Sequence, residues 1–278
     1  MQNKGFSLNC GGRLIDLTKP KVMAILNITP DSFYEDSRFQ GIDAVLAQVE
    51  KCLIDGATFI DIGGHSTRPN AEGISQDQEL QRVLPVIEAI VKHFPVVNIS
   101  IDTFRSRVAQ LSVEAGAVMV NDISAGNLDE KMFETVSNLQ VPYILMHSRG
   151  NPQTMSQLNH YQDIVLDVLS EIQQKVYHLR QLFVKDIVID LGFGFAKNLH
   201  QNYHLLKHLQ DFEVLDCPML VGISRKSMIW KHLDITANEA LNGTTALNMF
   251  ALMNGANILR VHDVKEATEC TKLFEMLY

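Results

Sequence analysis

The chain has 278 residues, 46% of them hydrophobic and 20% charged, a composition that can fill a large globular core. A formal charge of −8 with no Lys/Arg run argues against a nucleic-acid footprint or attachment to an anionic membrane. Cys10, Cys52, Cys217 and Cys270 lie far apart without CxxC spacing, so neither a disulfide framework nor a zinc site is expected.

The opening segment, MQNKGFSLNCGGRLIDL, lacks the apolar core of a signal peptide, and no stretch approaches the roughly 18 apolar residues of a membrane helix. A cytoplasmic protein is expected. Within that segment SLNCGGRLIDL has the pattern of a small hairpin, placed at the bottom of whatever sheet follows.

From there apolar runs of strand length alternate with helix-period stretches. The strand candidates are VMAILNIT, FIDIGG, VNISIDT, VMVNDIS, YILMHS, IVIDLGF, MLVGIS and ILRVHD. They are apolar on both faces, as strands of a fully covered parallel sheet are. Between them fall amphipathic stretches such as IDAVLAQVEKCLID, DQELQRVLPVIEAIVKHF and YQDIVLDVLSEIQQKVYHLRQLF. Eight βα units in this length predict an α/β fold, a (β/α)8 barrel preceded by a hairpin, with a doubly wound open sheet as the other arrangement. No composition break marks a second domain, so residues 1–278 are taken as one unit, with 1–20 the hairpin segment and 21–278 the barrel. The longest connection without a clear element is SRGNPQTMSQLN, and loops of that length tend to be functional or mobile.

The chemistry sits at the strand ends. Asn27 ends the first strand, and the second contains Asp61 and leads into Thr67 and Arg68. Asp102, then Asn121 and Asp122, then His147 end the next three. Asp190 lies in the sixth strand, Ser224, Arg225 and Lys226 follow the seventh, and Arg260 and His262 lie on the eighth. In a barrel these ends meet at one face, where active sites lie. Any one polar residue there is as well explained by helix capping or a turn. The set is harder to explain so, because Asp102 and Asp190 fall inside apolar runs and are costly to bury without partners. Two carboxylates, two amides and one lysine converging on one pocket suit a flat, nitrogen-rich heterocycle.

Arg260 and His262 are two apart on one strand and face the same way, which suits an anion; the bland alternative is a salt bridge to Asp263. Asn27, on the neighbouring strand, offers a neutral oxygen for Mg2+. Lys226 is open to two readings, a Schiff-base nucleophile or a donor to a ligand heteroatom. His200, His204 and His208 mimic a metal stripe but read as an exposed helix face. The GFGF from Gly192 to Phe195 lacks a phosphate-loop pattern; its glycines let backbone approach a flat ligand, with Phe195 beside it.

The segments ILNITPDSF, GATFIDIGGHSTRP, SIDT, VNDIS, MHSRGNPQTM, DLGFGFAKN, LVGISRKSMI and ILRVHDV, in that order from Asn27 to Val264, resemble the bacterial dihydropteroate synthases. The resemblance implies a pterin-binding barrel that joins 7,8-dihydropterin-6-ylmethyl diphosphate to p-aminobenzoate in an SN1-like reaction with Mg2+. By matching position, Asp102, Asn121, Asp190 and Lys226 would hold the pterin edge. Arg260 would lie against its ring and, with His262 and Asn27, hold the diphosphate and metal, with Arg68 adding charge. Thr67, Pro69, Phe195 and Ser224 would line the p-aminobenzoate pocket, where sulfonamides compete. Gly194, Met146 and Ile123 complete the substrate-binding set. Residues 29–38 would be a lid, with Phe33 against the aminobenzoate ring and Asp31 steadying the turn or the metal. Family members are usually homodimers. The chain departs from the family at His65, where Glu is usual, at Leu191, where Pro is usual, and at the EDSR of the first loop. A methyltetrahydrofolate–corrinoid methyltransferase, a non-catalytic pterin-binding paralogue and a Schiff-base aldolase are the alternatives. The first would not need the TPDSF, STRP, SRK and RVH segments present here.

Overall fold

The computed structural model describes residues 5–28, 38–65, 73–151 and 153–277. A two-stranded antiparallel hairpin, β1 (Ser7–Cys10) and β2 (Arg13–Asp16), precedes eight parallel strands that close into a barrel. These are β3 (Lys21–Asn27), β4 (Phe59–Gly63), β5 (Asn98–Asp102), β6 (Met119–Asp122), β7 (Tyr143–Met146), β8 (Ile187–Asp190), β9 (Met219–Val221) and β10 (Ala256–Val261). They follow one another around the barrel in chain order, and β10 pairs with both β9 and β3 to close it. Every strand expected from the sequence is present, and closure rules out the open sheet.

The helices form the outer layer: α1 (Arg38–Ile54), α2 (Gln76–His93), α3 (Ser106–Glu114), α4 (Met132–Leu139), α5 (Ile164–Gln181), α6 (Leu199–Lys207), α7 (Ser227–Leu233), α8 (Leu241–Met253) and α9 (Val264–Glu275). Local chemistry starts several of them. Ser75 and Gln78 form a reciprocal capping box on α2, Asn198 and Gln201 form one on α6, and the Asp163 carboxylate caps α5. On α2 the buried stripe Leu80, Val83, Val86, Ile87 and Ile90 has helical spacing and packs on the strands.

Strand side chains alternate between two cores. Val22, Ala24, Leu26, Ile60, Ile62, Ile99 and Ile101 point out toward the helices. Met23, Phe59, Met119, Ile144, Val188, Leu220 and Ile258 fill the barrel interior, where Leu8, Cys10 and Leu17 join them. The hairpin therefore plugs the bottom, and Arg13 ties it down through the carbonyls of Val96 and Val97 and the Asn98 amide. Chemistry is confined to the upper half, because the lower half is filled with hydrocarbon.

The connection 148–159 is less loose than its length suggested. The Asn151 Oδ1 accepts from the Gln153 and Thr154 amides at 3.0 Å, a short 3-10 turn follows, and Met155 is buried. The Arg149 guanidinium donates to the His160 carbonyl at 2.7 Å, closing the loop on itself.

Phe59 is fully buried between plug and barrel. Phe59→Ala is expected to lower unfolding free energy by ~3–5 kcal/mol in urea titration. A loss below ~1 kcal/mol would mean that the plug and barrel interior do not form one packed unit.

Candidate active site

Parallel pairing sets the level of each polar side chain. Asn27 aligns with Gly63, Gly63 with Asp102, and Asp102 with Asn121, so one tier of the upper barrel carries an amide, a gap, a carboxylate and an amide. Asp61 lies one tier lower, aligned with Ser100. Met146 aligns with Asp190 on the far wall. Ile123, just beyond β6, and Met146 are both buried beside this tier and add apolar surface.

Arg260 occupies the centre. Its Nε donates to Asp61 Oδ2 at 2.6 Å and its Nη2 to Asp102 Oδ2 at 2.7 Å. The Asn121 amide also donates to Asp61 Oδ2, at 2.9 Å. One guanidinium faces two buried carboxylates, so a net negative charge remains. Burial pushes the Asp102 carboxyl up to about 7, against the pull of Arg260 and with the Asp61 charge adding to the rise. Arg260 is held charged although burial opposes it, because Asp61 and Asp102 flank it. Asp61 Oδ1 and Asp102 Oδ1 are buried with no partner among the described residues. Orphaned carboxylate oxygens of this kind call for donors from a ligand.

Asp190 is buried and accepts from the Gly192 amide at 2.8 Å; burial raises its pKa while Lys226 and that hydrogen bond oppose the rise. Lys226 precedes α7, and its Nζ donates to the Phe193 carbonyl at 2.6 Å, 5.0 Å from the centre of the Phe195 ring. Burial pushes the ammonium down to about 8, with Asp190 holding it up. Gly192 and Gly194 both have positive φ, and a Cβ on Gly192 would lie 2.0 Å from the His147 carbonyl oxygen. Only glycine lets this turn pass so close to the neighbouring strand end.

On the other flank, the exposed His262 and the buried Ser224 meet: Nδ1 lies 3.1 Å from Oγ, and the His262 amide donates to the same oxygen at 3.2 Å. Ser224, expected in the aminobenzoate pocket, is therefore in direct contact with His262 of the anion pair. The Asp263 carboxylate is taken by Arg225 at 2.8 Å, so the bland reading of RVHD as an internal salt bridge does not hold. A Cβ on Gly63 would sit 3.5 Å from Asn27 Oδ1 and 3.7 Å from Asp102 Oδ2, so glycine keeps the space between these two oxygens open. Asn27 Oδ1 is a neutral hard oxygen of the kind Mg2+ takes, whereas Asp102 Oδ2 is already held by Arg260. Among the described residues no group of three His, Cys, Asp or Glu side chains is arranged to hold a metal, the His200, His204 and His208 set included.

Phe33, Thr67, Arg68 and Pro69, and residues 29–37 of the lid, lie outside the described residues. His65 is described. It is half-buried, edge-on to Phe104 at 5.5 Å, and burial together with Arg105 and Arg82 keeps it neutral. Arg105 pairs instead with the buried Glu79.

Sequence reasoning noted Asp61 among the strand-end side chains but gave it no role, and it passed over Lys197. Asp61 was visible as a carboxylate inside an apolar strand, the same signal that marked Asp102 and Asp190. Lys197 carried no such signal, because it follows a loop and looks like a surface lysine. His147 and Asp122 also end strands, but His147 turns toward Glu171 and Lys197, while Asp122 accepts from Ser124, Gly126 and Tyr143 to hold its own turn.

A barrel that gathers buried carboxylates, an amide and a lysine around a buried arginine at the C-terminal ends of its strands has the layout of a barrel enzyme that binds a polar heterocycle. Residues 23–262 match the family model described as "Pterin binding enzyme". A dihydropteroate synthase from Haemophilus influenzae is 40% identical over 270 residues, 96% of this chain and 98% of that one. The structure of a Yersinia pestis dihydropteroate synthase with a sulfonamide drug complex superposes with a TM-score of 0.91 at 38% identity, covering 98% of this chain and 99% of that chain. One from Xanthomonas albilineans with 4-aminobenzoic acid gives 0.90 at 34% identity, with 99% and 98% covered. The chain belongs to the dihydropteroate synthase family and is a transferase.

Arg260→Met is expected to destabilise the protein by ~3–5 kcal/mol, because Asp61 and Asp102 lose the charge between them. The Asp102 carboxyl, already raised by burial, would rise further without Arg260. The native state would hold more protons than the unfolded one, and stability would fall as pH rises from about 4 through the raised pKa. Urea midpoints lower at pH 8 than at pH 5.5, by more than in the wild type, are the expected result.

Proposed function

We propose that this chain condenses 7,8-dihydropterin-6-ylmethyl diphosphate with p-aminobenzoate, forming 7,8-dihydropteroate and pyrophosphate. The observation that carries the reading is the net-negative, acceptor-lined tier around Arg260. A 2-amino-4-oxopteridine presents an exocyclic amine and ring N–H groups along one edge, and Asp102 Oδ1, Asp190 and the Asn121 amide are suited to meet them. Arg260, held flat between two carboxylates, offers a guanidinium plane for the ring to lie against.

The C–O bond to the diphosphate breaks first, the leaving group takes the electron pair, and the pterin methylene becomes a resonance-stabilised cation. Burial raises the Asp102 and Asp190 carboxyls, so positive charge developing on the pterin would favour their ionised forms, in a site where water does not screen the interaction. The arylamine nitrogen then attacks the methylene, and the proton it sheds passes to the released pyrophosphate. His262, with Arg68, would hold the diphosphate. When bound, Mg2+ would neutralise part of the diphosphate charge and ease its departure. Asn27, whose amide oxygen borders the open gap at Gly63, would hold it.

Phe195 would wall the arylamine, with Thr67, Pro69 and Ser224, and sulfonamides would compete there. The lid of residues 29–38, carrying Phe33, would exclude water from the cation. Lys226 serves as a donor. Its ammonium rests on a carbonyl and faces Asp190, which opposes the deprotonation a Schiff-base nucleophile needs. Homodimer assembly through the outer helices is supported by Leu233, Phe250, Met253 and Leu273, large apolar side chains left exposed at the end of α7 and on α8 and α9. No helix among the described residues is long and apolar enough to cross a membrane, which supports a cytoplasmic location.

The direct test is pyrophosphate release by purified protein from the pterin diphosphate with Mg2+, with and without p-aminobenzoate. Release that depends on the arylamine and yields dihydropteroate is expected; pterin binding without turnover would point to the non-catalytic paralogue. Lys226→Ala and Asp190→Ala should each lower kcat/KM at least ~100-fold. His262→Ala should weaken diphosphate binding more than p-aminobenzoate binding, and equal losses in the two KM values would refute the anion role.

A further inference from the structure

Behind the Phe195 wall lies a hydrogen-bonded chain, running from the partly exposed Glu171 to the buried His147 and Lys197, that the reaction above does not use. Lys197 is buried, and its Nζ lies 2.9 Å from the Phe195 carbonyl, 3.1 Å from that of Gly192 and 3.3 Å from that of His147. It also lies 3.0 Å from His147 Nδ1. An ammonium has only protons to give, so Nδ1 must carry a lone pair and the ring proton must sit on Nε2. There Glu171 Oε2 waits at 3.1 Å. The chain Glu171–His147–Lys197 is thus fixed in direction, acceptor to donor at every link.

What it holds is a strained turn. Residues 192–196 contain three positive-φ positions, Gly192, Gly194 and the non-glycine Ala196. Lys197 holds the carbonyls at the two ends of the turn that carries Phe195. The same cluster reaches Ala196, since the Tyr161 hydroxyl donates to its carbonyl at 3.0 Å. The Arg149 guanidinium stacks on the Tyr161 ring at 3.9 Å and also pairs with Glu171.

We propose that Lys197 is a positioning residue of the arylamine subsite, setting the Phe195 wall through the Glu171–His147–Lys197 chain, which runs inward from the partly exposed Glu171. The proposal rests on the reading of Phe195 as that wall. Lys197 hydrogen-bonds to none of the pterin-edge side chains, but its turn also carries the Gly192 amide that donates to Asp190 and the Phe193 carbonyl that takes Lys226, so its loss should act more on the arylamine than on the pterin. Its charge should matter as well as its shape. Burial pushes Lys197 down to about 7; Asp190 and Glu171 hold it up, while Lys226 and Arg149 push it down further. His147, pushed down to about 4 mainly by burial, stays neutral throughout. As pH rises through about 7 the amine keeps two hydrogens for its four acceptors, and the turn loses a tie.

The test is steady-state kinetics of wild type, Lys197→Met and Glu171→Gln from pH 6 to 9, with pterin diphosphate affinity measured by equilibrium titration and amide hydrogen exchange followed at residues 192–196. Met matches the lysine stem and removes a desolvated charge, so folding should survive. Lys197→Met should raise the p-aminobenzoate KM about tenfold, change pterin diphosphate affinity less than about twofold, and speed exchange in the turn. In the wild type that KM should climb above pH ~7, and in Glu171→Gln the climb should begin at least ~0.5 pH unit lower, because a charge supporting the Lys197 proton is gone. Equal losses for both substrates, or an unshifted profile in Glu171→Gln, would overturn the proposal. If Lys197→Met does not fold, the Glu171→Gln profile decides. A wild type without turnover would defeat the functional reading, while unchanged exchange at 192–196 in a folded Lys197→Met would defeat the positioning role by itself.

Discussion

Arg260 sits between Asp61 and Asp102 inside the barrel, and the site is organised by that unequal match of one positive charge to two negative ones. A buried ion pair is seldom a net gain in stability, because desolvation opposes it. What this triad provides is a guanidinium that cannot turn and two buried carboxylate oxygens with no partner among the described residues. The burial that raises Asp102 makes its open oxygen ready to accept a hydrogen bond or to share a proton with a bound heterocycle. A site that receives a cation during its reaction benefits from residual negative charge already in place before substrate arrives.

The triad depends in turn on the division of the barrel interior. Below it, Met23, Phe59, Met119, Ile144, Val188, Leu220 and Ile258 meet the hairpin residues Leu8, Cys10 and Leu17 in a closed apolar core. That core keeps water from the lower face of the charges and fixes the height of each strand. The strand register then places Asn27, Gly63, Asp102 and Asn121 on one tier. A slip of one residue in any strand would turn its polar group toward the helices.

Where the chain departs from its family's usual residues, the local physics is conservative. His65 stands between Arg105 and Arg82 as a neutral ring against Phe104, and Arg105 finds its charge partner in Glu79. Leu191 joins the core between strands and helices, so the position gains apolar contact directly after Asp190. The sixth loop is instead secured from behind, by Lys197, Tyr161 and Asn202.

Strand order, barrel closure and the plug were legible in the sequence, because apolar runs, helix-period stretches and turn residues are local signals whose alternation permits few topologies. The strand-end side chains were legible for a related reason: a carboxylate within an apolar run, as at Asp102 or Asp190, announces a cost that something must offset. Pairing was not legible. Arg260 was read toward an anion, yet it lies against Asp61, 199 positions away in the chain, and Asp263 belongs to Arg225 rather than to its own segment. Lys197 gave no sign at all, since a lysine after a glycine-rich loop is ordinarily solvated. The sequence by itself determined which groups reach the upper face of the barrel. Only the tertiary structure decided which charges face each other there, because that depends on strand stagger and on burial depth, neither of which leaves a local mark in the chain.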